Sequence, residues 1–372
     1  MRPDRARPAT RMRAALLRPM LGIALVTACA SAAPDDIDAG VATVLADYDA
    51  PDRPGACVLA RHRGVVIFEH CYGMAEIETA RAATPETNFR LASVTKQFTA
   101  TAVLRLVQEG RLSLTTTLRE VFPDFPPWAD SVTVHRLLTH TAGLVDYEDV
   151  MPLGDAQILD AGVVDLLRTQ DSTYFPPGAA FRYSNSAYAV LARIVEERSG
   201  QRFADFLASE VFAPAGMTAT VAFEDGRSTV AHRAFGYSRQ ADGSWLRTDQ
   251  STTSAVLGDG GIYSSLQDLN RWLEIVEGRR ALLDSSLVSK VFTEARTNDG
   301  EGVGYGYGWF LDSAAGRRRI RHEGSTIGFR NAVQRFPEED LTVLFLSNRN
   351  DVPPGLVDSL AALLRRRGDR RS

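Results

Sequence analysis

Short apolar stretches bounded by turn-forming residues recur at both ends of the chain. Two of them, 56–61 and 65–72, flank Arg63-Gly64, and this arrangement predicts a β-hairpin with its turn at Gly64. Three further stretches with the same character lie near the carboxyl end, at 318–323, 328–336 and 341–347. The pattern therefore predicts strands close to the beginning and the end of the chain.

Helical periodicity occupies much of the remainder. Apolar residues three or four positions apart predict a first helix at 35–48 and a second helix that Ser93 opens and Gly110 ends. Strand patterns nearly vanish between about 116 and 225. Helices are predicted there around 134–140, 163–170 and 187–199. A last apolar face predicts a final helix and consists of Leu356, Val357, Leu360, Leu363 and Leu364.

Strands from both ends together with flanking helices predict an α/β (α+β) fold. We expect one α/β domain built from 29–115 and 226–372. It is interrupted by a mostly helical insertion subdomain at 116–225. Reactive groups are then expected in the crevice where the two parts meet.

Composition and charge limit the class of protein. The chain has 372 residues, of which 44% are hydrophobic and 24% charged, as is ordinary for a globular protein. Its formal net charge is −4, although residues 1–28 carry six arginines and a single aspartate. The rest of the chain is therefore acidic, and nucleic acid is not an expected partner.

The first 28 residues have the features of a signal peptide. Arginines precede an apolar run at 20–28 that is too short to span a membrane. Ala30-Ser31-Ala32 fits an ordinary cleavage site, whereas Val26-Thr27-Ala28-Cys29 resembles the bacterial lipoprotein box, in which Cys29 is lipidated. We favour the lipoprotein. Either alternative predicts an exported protein, periplasmic or anchored to a membrane through Cys29.

The other two cysteines, Cys57 and Cys71, lie on the two strands of the predicted hairpin. A turn centred on Gly64 would place them opposite each other. In an oxidising compartment a cross-strand disulfide is then a hypothesis. Two buried thiols are the alternative.

Lysine occurs at only two positions, Lys96 and Lys290, among 42 lysine and arginine residues. An amine can lose its proton when it is desolvated, whereas a guanidinium practically cannot. Lys96 follows Ser93 by three residues, so the two side chains share a face if a helix begins here. A neutral amine beside a hydroxyl can make that hydroxyl a nucleophile. Alone, this spacing also arises by chance in a helix with a surface lysine.

Three patterns follow one another along the chain, namely Ser93-x-x-Lys96, Tyr183-Ser184-Asn185 and His322-Glu323-Gly324-Ser325. With them, from about 37 to 365, the chain resembles the serine β-lactamase and penicillin-binding protein superfamily. The likeness is strongest to its class C-like branch of DD-peptidases, D-aminopeptidases and esterases. The resemblance implies an antiparallel sheet flanked by helices, a β-lactamase/transpeptidase-like fold, and the activity of a serine hydrolase. Supporting stretches are 137–144, 212–217, 260–264 and 306–309.

The resemblance gives the matched residues roles in acyl transfer. Ser93 would attack an acyl carbonyl and form an acyl-enzyme. Lys96, neutral or sharing a proton with Tyr183, would take the hydroxyl proton. Tyr183 would deliver that proton to the leaving group, and positive charges on Lys96 and His322 would favour its phenolate form.

Substrate contacts are implied for Asn185, His322 and Gly324, with the glycine leaving the strand edge open to the substrate. The backbone N–H groups of Ser93 and Ser325 would form the oxyanion hole. His140 is expected to be a structural hydrogen-bond partner. The aromatic loop 305–310 is expected to be a wall of the cleft.

The third pattern departs from the Lys-Thr-Gly or Lys-Ser-Gly that is usual in β-lactamases. Histidine at 322 makes the charge of the site depend on pH near neutrality. Strand alternation points Glu323 away from the direction of His322 and Gly324. If Glu323 faced the cleft, it would repel substrate carboxylates and favour substrates with a free amine or a neutral ester.

We therefore expect an exported serine hydrolase that forms an acyl-enzyme with an ester or an amide/peptide, its partner being a small-molecule or peptide substrate. The alternatives are a class C-like β-lactamase, a penicillin-binding receptor that is acylated without turnover, and a structural lipoprotein with a dead site. No histidine or cysteine spacing is typical of a metal site, so we expect no metal and no cofactor.

Overall fold

The computed structural model describes residues 36–154 and 156–370. The predicted signal peptide, 1–28, and the predicted lipidation site, Cys29, lie outside these residues. The strands of the described chain are β1 Ala56–His62, β2 Val65–Tyr72, β3 Met74–Glu76, β4 Arg81–Ala82, β5 Phe89–Arg90, β6 Val221–Ala222, β7 Tyr237–Arg239, β8 Trp245–Arg247, β9 Ile262–Ser264, β10 Phe310–Ala314, β11 Arg317–Thr326, β12 Phe329–Phe336 and β13 Leu341–Ser347.

Most of the helices follow one another between β5 and β6, and the others lie among the remaining strands. The α-helices are α1 Asp36–Val44, α2 Lys96–Gln108, α3 Leu118–Val121, α4 Val134–Leu138, α5 Tyr147–Val150, α6 Asp160–Arg168, α7 Asn185–Ser199, α8 Phe203–Leu207, α9 Ala213–Ala215, α10 Leu257–Gly260, α11 Leu266–Val276, α12 Ser285–Val291 and α13 Leu356–Arg370. Short 3₁₀ turns lie at Ala46–Tyr48, Ala92–Thr95, Pro127–Ser131 and Pro337–Glu339, and a π turn at Ala208–Phe212. Within the described ranges, no helix combines the length and the apolar character needed to cross a membrane.

The main sheet has six strands in the order β10-β11-β12-β13-β1-β2, and every neighbouring pair is antiparallel. Strands from the early and the late part of the described chain meet where β1 pairs with β13, with Val58 opposite Phe345. The predicted antiparallel sheet flanked by helices is thereby confirmed.

Both faces of this sheet are covered by helices, as the run of apolar residues in β1 requires. Cys57 and Leu59 pack into the cluster that contains α2, while Val58 and Ala60 pack into a second cluster with α1 and α13. Burial of each large apolar side chain stabilises the fold by roughly 1.5–3 kcal/mol. The sheet therefore lies at the centre of the described chain, between two apolar layers.

Strand β10 lies outside the predicted strands, and only its first residue, Phe310, belongs to the stretch 305–310 that was expected to form a wall of the cleft. Its residues show little alternation of apolar and polar character. Instead, Asp312 on β10 holds the strand to β11 by ion pairs of 2.8 Å to Arg319 and to Arg321. Ion pairs between the two strands therefore stabilise β10 where an apolar pattern is lacking, and which charges pair depends on the register of the strands.

Between 116 and 225 the described helices and strands are all helices apart from the two-residue strand β6, and turns and loops connect them. No strand of the six-stranded sheet comes from it. The division into an α/β domain and an insertion subdomain with these boundaries stays a prediction.

A small second sheet, in the order β5-β9-β6, positions two turns beside each other. Arg90 on β5 pairs with Tyr263 on β9, and the N–H of Leu91 donates to the carbonyl oxygen of Ile262 at 2.8 Å. The 3₁₀ turn that follows Leu91 is thereby held next to α10, which precedes β9.

The cysteines of the β1–β2 hairpin are directly opposite each other in the register, Cys57 facing Cys71. The structure joins them by a disulfide that closes a segment with a sequence separation of 14. The turn between the strands is made by Arg63 and Gly64, both with positive φ.

Candidate active site

The serine predicted to be the nucleophile lies in the 3₁₀ turn Ala92–Thr95, which runs directly into α2. Ser93 is half-buried, whereas its neighbours Leu91 and Val94 are buried and anchor the turn. Ala92 has a φ of 50°, in the left-handed region that alanine seldom occupies. Such strain persists only where surrounding packing fixes the backbone, so the Ser93 side chain is held in one place.

Lys96 is the first residue of α2, and none of its surface is exposed. Its Nζ lies 3.1 Å from Ser93 Oγ, 2.9 Å from Asn185 Oδ1 and 2.9 Å from the carbonyl oxygen of Asp259. The last two oxygens only accept hydrogen bonds, whereas the hydroxyl can also donate. A neutral amine would therefore use its two N–H groups on Asn185 and Asp259 and offer its lone pair to Ser93. An ammonium fits the same three partners by donating to all of them.

Tyr183 approaches Lys96 through the face of its ring, with Nζ 4.9 Å from the ring centroid. The phenolic oxygen is buried and has no hydrogen-bond partner among the described residues. The structure thus brings the two residues together, as the resemblance implies, and of the two alternatives for Lys96 it does not show the hydrogen bond that sharing a proton with Tyr183 would need. The phenolic proton is therefore not committed to another side chain in the described residues.

Aromatic packing behind Tyr183 fixes its ring. Phe310 stacks on it with centroids 5.9 Å apart, and the His140 ring lies 4.4 Å away. His140 Nδ1 accepts a hydrogen bond of 3.0 Å from the N–H of Ser184, immediately before α7. His140 therefore makes the structural hydrogen bond expected of it, and it helps to place Asn185 at the start of that helix.

The role expected of His322 has to be corrected. The residue is buried, with only 1% of its surface exposed. Nδ1 lies 2.8 Å from the carbonyl oxygen of Glu323, so this nitrogen carries the proton and donates. Nε2 then accepts from the Tyr305 hydroxyl at 3.0 Å. Burial, assisted by the charge of Lys96, lowers the pKa of His322 to about 3. The ring is neutral at pH 7 and fully paired within the protein, so it supplies neither the substrate contact nor the positive charge that was expected.

Glu323 points away from His322, as the alternation of a strand requires. Its side chain is exposed and pairs with Arg321 at 3.0 Å on the opposite face of β11. Gly324 again faces the serine turn, and a Cβ atom there would collide with the carbonyl oxygen of Leu91. Glycine is thus needed for the close packing of β11 against the serine turn, which differs from the expected reason of leaving space for substrate.

A cavity of about 50 Å³ opens at Ser93 and also meets Ser325, the other residue of the predicted oxyanion hole. Glu148, on α5, lies in its wall and accepts a hydrogen bond of 3.1 Å from Asn185 Nδ2. Both ends of the Asn185 amide are therefore engaged, one with Lys96 and the other with Glu148. The sequence assigned no role in the site to the other lining residues, which are Arg90, Ala92, Tyr147, Glu148, Thr253, Asp259, Gly260 and Thr326.

Asp259 is the buried carboxylate of this site. The Tyr147 hydroxyl donates to its Oδ2 at 3.1 Å. Burial raises the pKa of Asp259 to about 6, and the charge of Lys96 opposes that rise. The only signal in the sequence was a lone acidic residue inside the glycine-rich stretch 258–261.

Comparisons with known proteins identify relatives of this chain. The family model described as Beta-lactamase matches residues 41–366. The chain is 32% identical over 314 residues to a penicillin-binding protein of Bacillus subtilis, covering 79% of this chain and 68% of that protein. It is 28% identical over 303 residues to the D-aminopeptidase of Brucella canis, covering 79% of this chain but only 56% of that longer protein. The crystal structure of a penicillin binding protein from Bacillus halodurans matches with a TM-score of 0.71 and 28% identity, covering 87% of this chain and 98% of that one.

Proposed function

Because the chain belongs to the Beta-lactamase family and is a serine hydrolase, we propose that it hydrolyses an amide or ester through an acyl-enzyme on Ser93. The observation that carries this proposal is the 3.1 Å distance between Lys96 Nζ and Ser93 Oγ. It places a base within hydrogen-bond reach of the nucleophile.

Acylation begins when the Ser93 oxygen attacks the acyl carbon and its proton passes to the Lys96 amine. Asn185 Oδ1 and the Asp259 carbonyl hold that amine in place during the transfer. The bond to the leaving amine or alcohol then breaks as Tyr183, whose hydroxyl has no partner among the described residues, gives it a proton. Lys96 is then an ammonium and Tyr183 a phenolate. Water attacks the resulting ester and gives a proton to the Tyr183 phenolate, while the Lys96 ammonium returns its proton to the Ser93 oxygen as the acid product leaves.

We further propose that the substrate carries a free amino group. An exposed carboxylate from Glu148 lies in the wall of the cavity that opens at Ser93. A negative charge there attracts an ammonium and disfavours a carboxylate at the same position. The preference for a free amine, which Glu323 would give only if it faced the cleft, is thus assigned to Glu148 instead. Similarity to a D-aminopeptidase supports a D-amino-acid amide or peptide as the substrate class.

Turnover distinguishes this proposal from a receptor that is acylated and then stays inactive. The protein is incubated with a D-amino-acid amide, its L-enantiomer, a chromogenic ester and a cephalosporin. We expect product well beyond one equivalent from the D-amino-acid amide. A burst of one equivalent that never continues would support the receptor, and turnover of the cephalosporin alone would support a β-lactamase.

We also propose that the protein is exported and lipidated at Cys29. The arginines that precede the apolar run at 20–28 and the sequence Val26-Thr27-Ala28-Cys29 support this proposal. Cells expressing the full chain are grown with a clickable fatty acid. The expected result is a labelled protein that becomes unlabelled in the Cys29→Ser variant. Equal labelling of both, or of neither, would contradict lipidation at this residue.

A further inference from the structure

Three successive carbonyl oxygens of the turn α10 hold buried polar side chains around the active site. The carbonyl oxygen of Gly258 accepts from Thr99 Oγ1 at 2.7 Å, and that of Asp259 accepts from Lys96 Nζ at 2.9 Å. The carbonyl oxygen of Gly260 accepts from Arg90 Nε at 3.3 Å. The position of Lys96 therefore depends on the position of this turn.

A carboxylate from another helix fixes the turn at its beginning. Asp160, the first residue of α6, accepts the N–H of Leu257 on Oδ2 at 2.8 Å and the N–H of Gly258 on Oδ1 at 3.0 Å. Asp160 is buried, with 8% of its surface exposed. Both carboxylate oxygens are committed to the backbone of the turn and not to a side-chain cation.

The turn has little freedom on its other side. A Cβ at Gly258 would collide with the carbonyl oxygen of Tyr188, so α7 packs directly against the backbone there. The turn is thus held between α7 and the Asp160 carboxylate. Loss of either would let the Asp259 carbonyl move relative to Lys96.

We propose that Asp160 is a positioning residue for the Lys96 amine, acting through the backbone of 257–260. This inference rests on the proposed function in one respect, because the position of Lys96 affects rate only if Lys96 is the base. Without the carboxylate, the turn shifts and the amine loses an acceptor that directs it at Ser93 Oγ. Small displacements of this kind reduce the rate of the chemical step more than the binding of substrate.

The surroundings of Asp160 make it suitable for substitution. A cavity of about 400 Å³ lies against Asp160 and Leu257, so a changed side chain has space to relax. Burial raises the pKa of Asp160 to about 7, and the two backbone donors oppose that rise. Measurements are therefore made at pH 8, where the parent carries the carboxylate.

The principal variant is Asp160→Asn, which keeps the shape but turns one acceptor into a donor that faces a backbone N–H. Asp268→Asn is the matched control, because Asp268 is also buried and its Oδ2 accepts the N–H of Ala219 at 2.8 Å. Asp160→Asn is expected to slow acylation of Ser93 by a fluorophosphonate about 10- to 100-fold, with KM for substrate changed less than about 2-fold. The Asp268→Asn rate stays near that of the parent.

A second readout does not depend on activity. The chain has two lysines, so Lys290→Arg leaves Lys96 as the only one, and ¹³C-labelled lysine gives a single side-chain NMR signal. Asp160→Asn is expected to move that signal, whereas Asp268→Asn leaves it in place. If the parent is not acylated at Ser93, the proposed function fails, but this signal still tests the link between Asp160 and Lys96.

Should Asp160→Asn not fold, Asp160→Ser is the second variant. Its hydroxyl brings no amide donor against the backbone N–H groups but cannot replace both acceptor oxygens, so a change in the same direction is expected. A folded variant with the parent's Lys96 signal and the parent's acylation rate would overturn the proposal. An equal loss of rate in Asp268→Asn would overturn it as well, because general destabilisation would then explain both.

Discussion

The side-chain amide of Asn185 donates a hydrogen bond of 3.1 Å to the carboxylate of Glu148. Because the other end of this amide accepts from Lys96, its orientation is fixed on both sides. Asn185 thus links the Lys96 amine to the Glu148 carboxylate, so its amide is already engaged within the protein instead of being open to a substrate carbonyl. The carboxylate is the member of this group that remains exposed to an incoming substrate.

The first prediction concerns Glu148→Gln. The substitution keeps the length of the side chain and an acceptor oxygen but removes the negative charge. We expect kcat/KM for a D-amino-acid amide to fall about 10-fold, which corresponds to about 1.4 kcal/mol. The same amide with an acetylated amino group should show no comparable loss. Glu338→Gln, at an exposed turn, is the control, and parallel losses for both substrates would argue against recognition of the amine.

The second prediction concerns the identity of the base. Lys96→Arg keeps a cation but replaces an amine that can accept a proton with a group that practically cannot. We expect acylation of Ser93 to fall by at least about 100-fold, in the range of general-base catalysis. Lys290→Arg, on the exposed side of α12, should acylate at the parent's rate. Near-normal acylation of folded Lys96→Arg would exclude Lys96 as the base.

The third prediction concerns the pH dependence of stability. The pKa of His322 is about 3 in the folded protein, below its ordinary value near 6.5. The unfolded chain therefore binds a proton that the folded chain does not, and stability contributed by the neutral ring is lost as pH falls below 6.5. The expected slope is about 1.4 kcal/mol per pH unit from this residue.

His322→Asn removes that titration while keeping an N–H near the Glu323 carbonyl oxygen. We expect the variant to be less stable than the parent at pH 7, and the difference to shrink steadily toward pH 4. Urea unfolding at several pH values measures it. Buried carboxylates such as Asp160 and Asp259 act in the opposite direction, but they are present in both proteins and cancel. A constant difference across this range would contradict a buried neutral His322.

The architecture could be predicted from local patterns because a buried strand or helix needs apolar residues at a characteristic spacing along the chain. A strand such as β13 is apolar on both faces, and its predicted range, 341–347, is the observed one. β10 was missed because Asp312 stabilises it through cross-strand arginines, whose register no local pattern reveals. The short strands β5 and β9 have two and three residues, too few for any periodicity.

In the site, too, some contacts could be predicted from the sequence and others could not. Ser93 and Lys96 share one turn of chain, so their contact could be anticipated from spacing. The Asp259 partner of Lys96 is a backbone carbonyl, which every residue possesses and no side-chain pattern marks. The neutrality of His322 depends on burial and on Tyr305, which tertiary packing alone supplies.

The fourth prediction concerns the disulfide between Cys57 and Cys71. Closing a segment with a sequence separation of 14 restricts the unfolded chain and stabilises the folded one by about 3 kcal/mol. The parent should lose that free energy of unfolding when reductant is added, and Cys57→Ala/Cys71→Ala should not respond. Equal urea midpoints for the parent with and without reductant would show that the bond contributes nothing.

The most direct test of the account is intact-mass measurement after fluorophosphonate treatment, followed by mapping of the modified peptide. We predict a single adduct on Ser93 in the parent, no adduct in Ser93→Ala, and loss of hydrolysis in that variant. An adduct on another residue, or hydrolysis by Ser93→Ala at the parent's rate, would contradict the assignment of Ser93 as the nucleophile.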